Sequence, residues 1–433
     1  MKLLFTIFIL FLSYDCIGQS ENVYSGEEVM ELNDLFYKKK DMTLITGKVN
    51  TYDITKKIII LETNFKEGKA EGVSKLWNEN GKLEMEINFK EGQPEGINRE
   101  WYENGQQKSE RLFKEEQLEG IMRQWYKNGQ IKEETNFKEG KAEGLGRRWH
   151  ENGQQEVEQL FKEGNQEGLF REFYENGQKS KEGNYINNKL EGLWIWWYDN
   201  GQKLMQGNYI NGKSEGLWTK WYENGQLEQE ANLIEGIQEG LFREWHENGQ
   251  RKTEHLFKKG KPEGISRVWY ENGQLAREVN LIEGIKEGIM REWHENGKQK
   301  SEQLFEKEKP EGISRFWYEN GKLSKEQLFK EGQAEGVNKE WYENGQLKQE
   351  VNLIGGILEG LYRDWFDNGQ LQQEVLFKNG EPEGLAKVWF DNGQLQQEVL
   401  FKNGKKNGLQ IFYKIDGTIE KKEAWENGVL KLD

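Results

Sequence analysis

The stretch EGINREWYENGQQKSERLFKEEQL, residues 95–118, contains the pattern that decides the fold. Two short runs rich in aromatic and branched residues flank the dipeptide Asn104-Gly105. This combination predicts a β-hairpin with a two-residue type I′ turn, because both central residues of that turn need positive φ. A second, looser turn, as at residues 138–143, is expected to lead from each hairpin into the next.

The same pattern returns every 24 residues along the chain. The glycine of the Glu-Gly step, Asn407-Gly408 in the last repeat, recurs at this interval from Gly72 to Gly408, and the glycine of the Asn-Gly step, Asp416-Gly417 in the last repeat, follows nine residues later. Fifteen full repeats result, preceded by one degenerate repeat around Gly47. No segment shows helical periodicity. The predicted fold class is therefore all-β, an elongated single-layer antiparallel sheet of tandem β-hairpins with a 24-residue period.

Composition supports a thin sheet and excludes two classes of partner. Only 34% of the 433 residues are hydrophobic, whereas Gly (50), Phe (21), Trp (17) and Tyr (16) are plentiful. This profile is typical of an aromatic-rich β structure without a thick aliphatic core. The net charge of −15 would repel nucleic acid and anionic membranes, so neither is an expected partner.

Charged residues test the predicted hairpin register. If Asn104 and Gly105 form the loop, Arg99 faces Glu110 across the hairpin. The equivalent positions carry opposite charges in twelve of the fifteen hairpins, which is a favourable cross-strand arrangement. Where Ile195 replaces the basic residue, Gln206 replaces the acidic one, so the charge disappears from both sides together. The pattern predicts a structural ladder of ion pairs.

The N-terminus resembles a secretory signal. An apolar run from residue 3 to residue 12 is too short to span a bilayer, and residues 1–18 are therefore predicted to be a cleaved signal peptide. Lipid anchoring at Cys16 is disfavoured, because residues 13–15 make a poor lipobox. The mature chain is expected to be exported to the periplasm, the cell surface or the medium. Residues 19–45 are predicted to form an N-terminal capping segment, and residues 46–433 the repeat array.

An unusual group of aromatic residues lies near the middle of the array. Large rings follow the Glu-Gly step by two residues in four consecutive repeats, where many others have Ser, Asn or Ala. Alternation along the strands adds further rings to the same surface. The candidate binding stripe consists of Phe170, Trp194, Trp196, Tyr198, Tyr209, Trp218, Tyr222 and Phe242. In one interpretation the rings are structural: they cover the sheet, pack against a bend or are buried in a partner protomer. In the other they bind a ligand by stacking on sugars or on a partner's side chains.

Repetition argues against catalysis, since an active site needs one unique constellation. His150, His246 and His294 each replace the Tyr that follows Trp, and they lie two or four hairpins apart, too far to share a metal ion. His255 stands alone in a second strand. No nucleophile-base set or phosphate-binding glycine loop is present. The chain is therefore predicted to have no enzymatic activity, no cofactor and no metal site.

The consensus also resembles a known family. The segment EGLFREWHENGQRKTEHLFKKG, residues 239–260, resembles the MORN-repeat variant found in bacterial proteins of the YwqK antitoxin family. The opening DLFYKKKDMTLITGKVNTYD, residues 34–53, is similar to the segment that introduces the first repeat in that family. The resemblance covers residues 30–433. It implies antiparallel hairpins in an elongated sheet, no enzymatic activity, and a role in binding or scaffolding proteins.

Three functions follow as hypotheses. The favoured one is an exported, non-enzymatic scaffold that binds another protein along its length, with a homo-oligomer as one arrangement. The second is an envelope glycan-binding module in which Trp194, Trp196 and Trp218 form the platform. The third, implied by the family resemblance, is an antitoxin or immunity protein that masks a toxin.

Overall fold

The computed structural model describes residues 22–53, 55 and 57–431. Strands make up most of this part of the chain, which contains one short 3₁₀ helix, Gly26–Glu28, and no α-helix. The predicted all-β antiparallel sheet of tandem hairpins is confirmed. No helix within these residues is both long and apolar enough to cross a bilayer. The predicted signal peptide and Cys16 lie outside the described residues.

The chain divides into two units, residues 1–213 and 214–433. Within each unit the strands follow chain order and pair antiparallel with their neighbours, apart from the first strand. The strands of the first unit are β1 Val23–Ser25, β2 Val29–Leu32, β3 Leu35–Lys38, β4 Gly47–Asp53, β5 Ile58–Lys66, β6 Lys69–Ala70, β7 Gly72–Trp77, β8 Leu83–Lys90, β9 Gln93–Pro94, β10 Gly96–Trp101, β11 Gln107–Lys114, β12 Gln117–Leu118, β13 Gly120–Trp125, β14 Ile131–Lys138, β15 Lys141–Ala142, β16 Gly144–Trp149, β17 Gln155–Lys162, β18 Asn165–Phe173, β19 Lys179–Ile186, β20 Lys189–Trp197 and β21 Lys203–Ile210.

The strands of the second unit are β22 Lys213–Trp221, β23 Leu227–Ile234, β24 Ile237–Trp245, β25 Arg251–Lys258, β26 Lys261–Pro262, β27 Gly264–Trp269, β28 Leu275–Ile282, β29 Ile285–Lys286, β30 Gly288–Trp293, β31 Gln299–Glu306, β32 Lys309–Trp317, β33 Leu323–Lys330, β34 Gln333–Trp341, β35 Leu347–Ile354, β36 Ile357–Leu358, β37 Gly360–Trp365, β38 Leu371–Lys378, β39 Glu381–Trp389, β40 Leu395–Lys402, β41 Lys405–Tyr413, β42 Ile419–Glu426 and β43 Val429–Lys431.

The segment before the first repeat covers the start of the first unit's sheet. Strand β1 pairs in parallel with β4. This pairing covers the strand edge that β4 would otherwise leave open. Strands β2 and β3 form a separate hairpin, and Phe36 in β3 packs on Phe65 of β5 with ring centroids 4.7 Å apart. Ile45 is completely buried beside Val49, Phe65 and Ala70. This cluster is the apolar core at that end of the array.

The Asn-Gly turn differs from the prediction. Gly105 has φ +89°, but Asn104 is not in the left-handed region, so a type I′ turn is excluded. The main-chain N–H of Gly105 donates to Tyr102 O (2.8 Å), and that of Tyr102 donates to Gln106 O (2.8 Å). These bonds define a three-residue loop, a type I turn followed by a bulged glycine. Asn104 is suited to it, because its Oδ1 accepts from the N–H of Gln106 (3.0 Å).

The predicted register nevertheless holds along the strands. Arg99 faces Glu110 as expected, whereas Trp101 faces Gln107 instead of Lys108, the residue that a two-residue loop at Asn104 and Gly105 would place opposite it. A β-bulge after Glu100 compensates for the extra loop residue. The twelve predicted charged pairs all lie at facing positions, and Ile195 faces Gln206.

The second turn is the tighter one, contrary to the prediction that it is looser. In the hairpin of β14 and β15, Lys138 faces Lys141, which leaves Glu139 and Gly140 as a two-residue loop. Both have positive φ, 50° and 74°, as a type I′ turn requires. The carboxylate of Glu119, in the Glu-Gly step of the preceding turn, accepts from the N–H of Glu139 (3.1 Å). The same bond, spanning 20 residues, recurs along the chain.

The asparagine of most Asn-Gly steps also binds the next repeat. The Nδ2 of Asn104 donates to Lys127 O (2.7 Å), 23 residues further along the chain. We call this hydrogen bond the asparagine tether. The asparagines that form it are Asn104, Asn128, Asn152, Asn176, Asn224, Asn248, Asn272, Asn296, Asn320, Asn344 and Asn368. Asparagine is therefore needed for its donor as well as for the turn.

A third tether comes from the residue that follows Trp. The hydroxyl of Tyr102 donates to Trp125 O (2.8 Å), again 23 residues away. In the repeat with His150, the ring Nε2 lies 2.9 Å from Phe173 O. Histidine can replace tyrosine here because both side chains place a hydrogen-bond donor next to the equivalent main-chain carbonyl of the next repeat. Where all three bonds form, as from Asn104 and Tyr102, a repeat is thus held to its successor by a Glu, a Tyr or His, and an Asn side chain.

Candidate binding surfaces

Strand alternation gives the sheet two different faces. Arg99 and Glu110 mark one of them, which we call the ladder face, together with Ile97 and its facing residue Leu112. Phe113 and the positions equivalent to Asn98 mark the other, which we call the aromatic face. Most of the buried side chains in both units lie on the aromatic face.

The ladder face carries the predicted ion pairs. Arg99 Nε lies 2.8 Å from Glu110 Oε2, and Arg99 Nη1 lies 3.6 Å from Glu86 Oε1 of the preceding hairpin. Within the described chain, ten of the twelve predicted pairs form an ion pair between the two facing residues of one hairpin. The two exceptions are Arg147–Glu158 and Lys387–Glu398. Because the charged groups are partly solvated, each pair contributes about 0–1 kcal/mol. The ladder confers solubility and register more than stability.

Exposed aliphatic side chains form a row beside the ladder. Each follows the glycine of the Glu-Gly step directly, or Asn407-Gly408 in the case of Leu409, so the row advances by two strands per repeat, about 9.6 Å. We call it the aliphatic row. Its exposed members are Val73, Ile97, Ile121 and Leu193 in the first unit, and Leu217, Leu241, Ile265, Ile289, Ile313, Val337, Leu361, Leu385 and Leu409 in the second. Regular exposed apolar surface is typical of binding sites.

The aliphatic row was not among the predicted binding residues. Its signal was present as a branched aliphatic residue after Glu-Gly in nearly every repeat. The structure shows that the row is open, with Leu217 and Leu409 each 54% exposed.

The first unit contains five members of the predicted aromatic stripe, and three of them, Phe170, Trp196 and Tyr209, pack around a fourth, Trp194. The Trp194 ring centroid lies 5.8 Å from that of Phe170, 6.0 Å from Trp196 and 6.4 Å from Tyr209. Tyr185, which is not a member of the predicted stripe, packs edge-on against Trp194 with ring centroids 5.1 Å apart. Trp194 is only 2% exposed and Phe170 only 7%. The centre of this cluster is therefore closed to solvent.

A glycine on the neighbouring strand explains why Trp194 is buried. A Cβ atom at Gly183 would lie 2.1 Å from the Trp194 ring, so the indole lies directly on the main chain of β19. The indole N–H donates to Asn184 O (3.1 Å), which satisfies its one polar atom. The ring thus covers main chain that glycine leaves bare.

Tyr198 occupies a different position from the rest of the stripe. It is the residue after Trp197 and lies in the turn, where its N–H donates to Gln202 O (2.8 Å). Trp196 lies on the aromatic face beside Trp194 and is partly exposed. Among the predicted tryptophans of this unit, Trp196 is the one with accessible ring surface.

The second unit contains Trp218, Tyr222 and Phe242. Trp218 faces Ala231 on the aromatic face, whereas Tyr222 is a tether whose hydroxyl donates to Trp245 O (2.7 Å). Phe242 stacks on His255 with ring centroids 6.0 Å apart. These three side chains therefore have separate structural roles.

His255 lies in a polar and aromatic pocket of the aromatic face. Its Nδ1 is 2.7 Å from Ser266 Oγ, and Phe242 and Phe257 pack against its ring. Burial lowers the pKa of His255, because the charged imidazolium loses hydration there. The other three histidines lie against main-chain carbonyls. Within the described residues, no three His, Cys, Asp or Glu side chains come close enough together to hold a metal ion.

Comparison with known proteins gives one family match. Thirteen segments, together more than half of the chain, match the family model described as MORN repeat variant: residues 70–91, 94–115, 118–139, 166–187, 190–211, 214–234, 238–259, 262–282, 286–307, 310–331, 334–354, 358–379 and 382–403. The repeat at 142–163 falls outside these segments, yet β16 and β17 form the same hairpin there. No curated protein sequence is similar enough to count as a match.

Two solved structures show a distant similarity. They carry the titles "Crystal Structure of TcdB2-TccC3" (10% identity, TM-score 0.16) and "Crystal Structure of TcdB2-TccC3-Cdc42" (11% identity, TM-score 0.11). The matches cover 92% and 87% of this chain. The chain spans 25% of the length of each of those chains.

Proposed function

The chain belongs to the MORN repeat variant family, and from this premise we propose that it is a non-enzymatic scaffold that binds another protein through its ladder face. The observation that carries the proposal is the aliphatic row, which repeats at a fixed interval in both units. Leu, Ile and Val side chains at regular spacing give a partner apolar surface to cover and a fixed interval at which to place its own side chains. They offer no nucleophile, acid or base.

The distribution of accessible apolar surface favours the ladder face over the aromatic face. Leu361, Leu385 and Leu409 are each exposed by more than two fifths, whereas Trp194 and Phe170 are buried. Binding affinity increases with the apolar area that a partner buries, and the aliphatic row exposes more such area than these buried rings. The ion pairs beside the row supply a polar rim.

Charge restricts the kind of partner. With a net charge of −15, the chain attracts a protein whose matching surface is basic or neutral, and this attraction accelerates encounter. A toxin is one such partner, consistent with the resemblance to the YwqK family. The predicted signal peptide at residues 1–18 supports binding outside the cytoplasm. A reporter fused to these residues is expected to be exported, and retention of the reporter in the cytoplasm would contradict that part of the proposal.

Affinity purification with matched variants tests the binding surface. The tagged full chain is expected to retain a specific protein from an envelope extract, identified by mass spectrometry. Replacing Leu361, Leu385 and Leu409 by Ser should abolish capture, because it removes neighbouring members of the row. A control variant with Lys378 and Lys402 changed to Ser alters exposed strand ends and should capture the partner normally.

Two outcomes would contradict the proposal. One is full capture by the row variant, which would show that the partner binds elsewhere. The other is binding of the chain to a glycan array that is lost in Trp196→Ala. That result would favour the aromatic face and the envelope glycan instead.

A further inference from the structure

The Asn-Gly steps are chemically reactive as well as structural. The main-chain nitrogen of the glycine can attack the Cγ of the preceding asparagine, forming a succinimide ring and releasing ammonia. Water then opens the ring and leaves aspartate or isoaspartate. Glycine favours this attack because it has no Cβ to block the approach. Fourteen such steps occur in the bulged turns, at 24-residue intervals from Asn80 to Asn392.

The asparagine tether opposes this reaction in the folded protein. Ring closure requires the side-chain amide to rotate towards the glycine nitrogen, and the tether holds that amide on a carbonyl of the next repeat. At Asn368, Nδ2 donates to Asp391 O (2.7 Å), and Oδ1 accepts from the N–H of Gln370 (2.9 Å). Both bonds fix the amide plane in place.

Asn392 lacks the tether although its sequence is the same. The sixteen residues from Trp365 to Gly380 recur unchanged from Trp389 to Gly404. Asn392 Oδ1 accepts from Gln394 N–H (2.9 Å), as in the preceding repeat, but its Nδ2 donates no hydrogen bond within the described part of the chain. The turn glycines also match, since each donates its N–H to the Phe carbonyl at 2.9 Å. The two sites therefore differ by one hydrogen bond.

Asn80 is a second site whose Nδ2 forms no tether within the described residues. The carbonyl of Glu103, which is equivalent to the acceptor of other tethers, instead receives a hydrogen bond from Lys82 Nζ (3.0 Å). Asn320 has the same flanking residues, Glu-Asn-Gly-Lys-Leu, but donates to Glu343 O (3.0 Å). Asn80 and Asn320 form a second pair, although the turns also differ in that Asn78 Oδ1, instead of Asn80 Oδ1, accepts from the N–H of Lys82 (3.0 Å).

We propose that Asn392 and Asn80 undergo spontaneous deamidation in preference to the eleven tethered asparagines of the bulged turns, because the tether protects those asparagines. Releasing the tether costs the folded protein about one net hydrogen bond, which corresponds to a threefold to tenfold difference in rate. The product at Asn392 adds one negative charge to a turn that tolerates a carboxylate. In the following turn Asp416 already occupies the equivalent position, and its Oδ1 accepts from the N–H of Thr418 (2.9 Å).

Peptide mass spectrometry after incubation tests the proposal on the intact chain. Trypsin releases residues 364–378 and 388–402, which differ only in their first residue and so give distinct masses. After incubation at mildly alkaline pH, the fraction deamidated at Asn392 should rise about three to ten times faster than that at Asn368. Residues 76–82 and 316–322 report the second pair in the same digest.

Incubation in denaturant is the control for sequence effects. There the rates at Asn368 and Asn392 should become equal, because only the folded chain forms the tether. Equal rates in the folded protein, or faster reaction at Asn368, would overturn the proposal. A ratio that persists in denaturant would overturn it as well, since the cause would then be sequence and not structure.

Discussion

The Nδ2 of Asn104 lies 2.7 Å from the main-chain oxygen of Lys127, in the next repeat. Its Oδ1 at the same time accepts from Gln106 of its own turn. One side chain therefore closes a hairpin and holds the following one. The free energy of unfolding of such an array is approximately the sum of the intrinsic stabilities of the repeats and the interaction energies between neighbouring repeats. The asparagine tether contributes to the interaction between neighbours.

Replacing a tethered asparagine by aspartate should lower stability. Asn368→Asp keeps the Oδ1 acceptor but loses the donor and places a carboxylate against Asp391 O. We expect a loss of about 1 kcal/mol in the free energy of unfolding. Asn392→Asp, in the same sequence context without the tether, should cost clearly less. Urea unfolding of both variants measures the difference, and equal losses would show that the tether contributes nothing.

The tyrosine tether should respond to loss of its hydroxyl. In Tyr318→Phe, Trp341 O loses a donor that lies 2.6 Å away, and we expect a cost of about 1 kcal/mol. Tyr318→His should retain part of that stability, because His294 in the preceding repeat places Nε2 2.9 Å from Trp317 O. Urea unfolding of the two variants gives the comparison. A histidine variant no better than phenylalanine would contradict the role assigned to the donor.

Alkaline pH should weaken the second unit through Tyr362. Burial, and then the hydrogen bond that its hydroxyl donates to Asp364 (2.7 Å), raise the pKa of Tyr362 from 10.0 to about 12. The folded state therefore holds this proton more tightly than the unfolded state. The corresponding stability is fully present below pH 10 and is lost as pH rises towards about 12. Unfolding midpoints measured across this window should fall less steeply in Tyr362→Phe than in the parent, and identical slopes would contradict the expectation.

Two of the tight turns contain strain that substitution can remove. Glu116 has φ 66° and Glu308 has φ 71° at positions where most repeats have glycine. A residue with a Cβ in this region is disfavoured by about 1–2 kcal/mol. Glu116→Gly and Glu308→Gly should therefore stabilise the chain, partly offset by the greater freedom of glycine when unfolded. Gly140→Glu is the reverse control and should destabilise; a rise in its unfolding midpoint would contradict the assignment.

Local pairing was predictable from the sequence, and the inter-repeat bonds were not. Arg99 and Glu110 carry opposite charges at a spacing that a hairpin brings together, so the register followed from residues eleven positions apart. The turn type did not follow, because positive φ at Gly105 suits both a type I′ turn and a type I turn with a bulge. The tether from Asn104 to Lys127 ends on a carbonyl, which any residue provides, so no side chain in the sequence marks its acceptor.

The candidate site was predictable in part. Alternation correctly placed Trp194 and Trp196 on one face, and their rings lie 6.0 Å apart. The burial of Trp194 depends on Gly183, which belongs to the preceding strand. A signal existed, since Thr135 and Gln159 occupy the positions equivalent to Gly183 in earlier repeats. A glycine that replaces a side chain beside a tryptophan indicates that the ring lies on the main chain.

A double-mutant cycle tests the contact between Gly183 and Trp194. Gly183→Ala places a Cβ against the indole and should force it away, at a cost of about 1–3 kcal/mol typical of overpacking. In a Trp194→Ala background the same change should cost little, because the ring that it displaces is absent. Tryptophan fluorescence and urea unfolding of the four proteins measure the coupling. If Gly183→Ala costs the same in both backgrounds, its effect comes from the main chain alone, and the indole does not require the glycine.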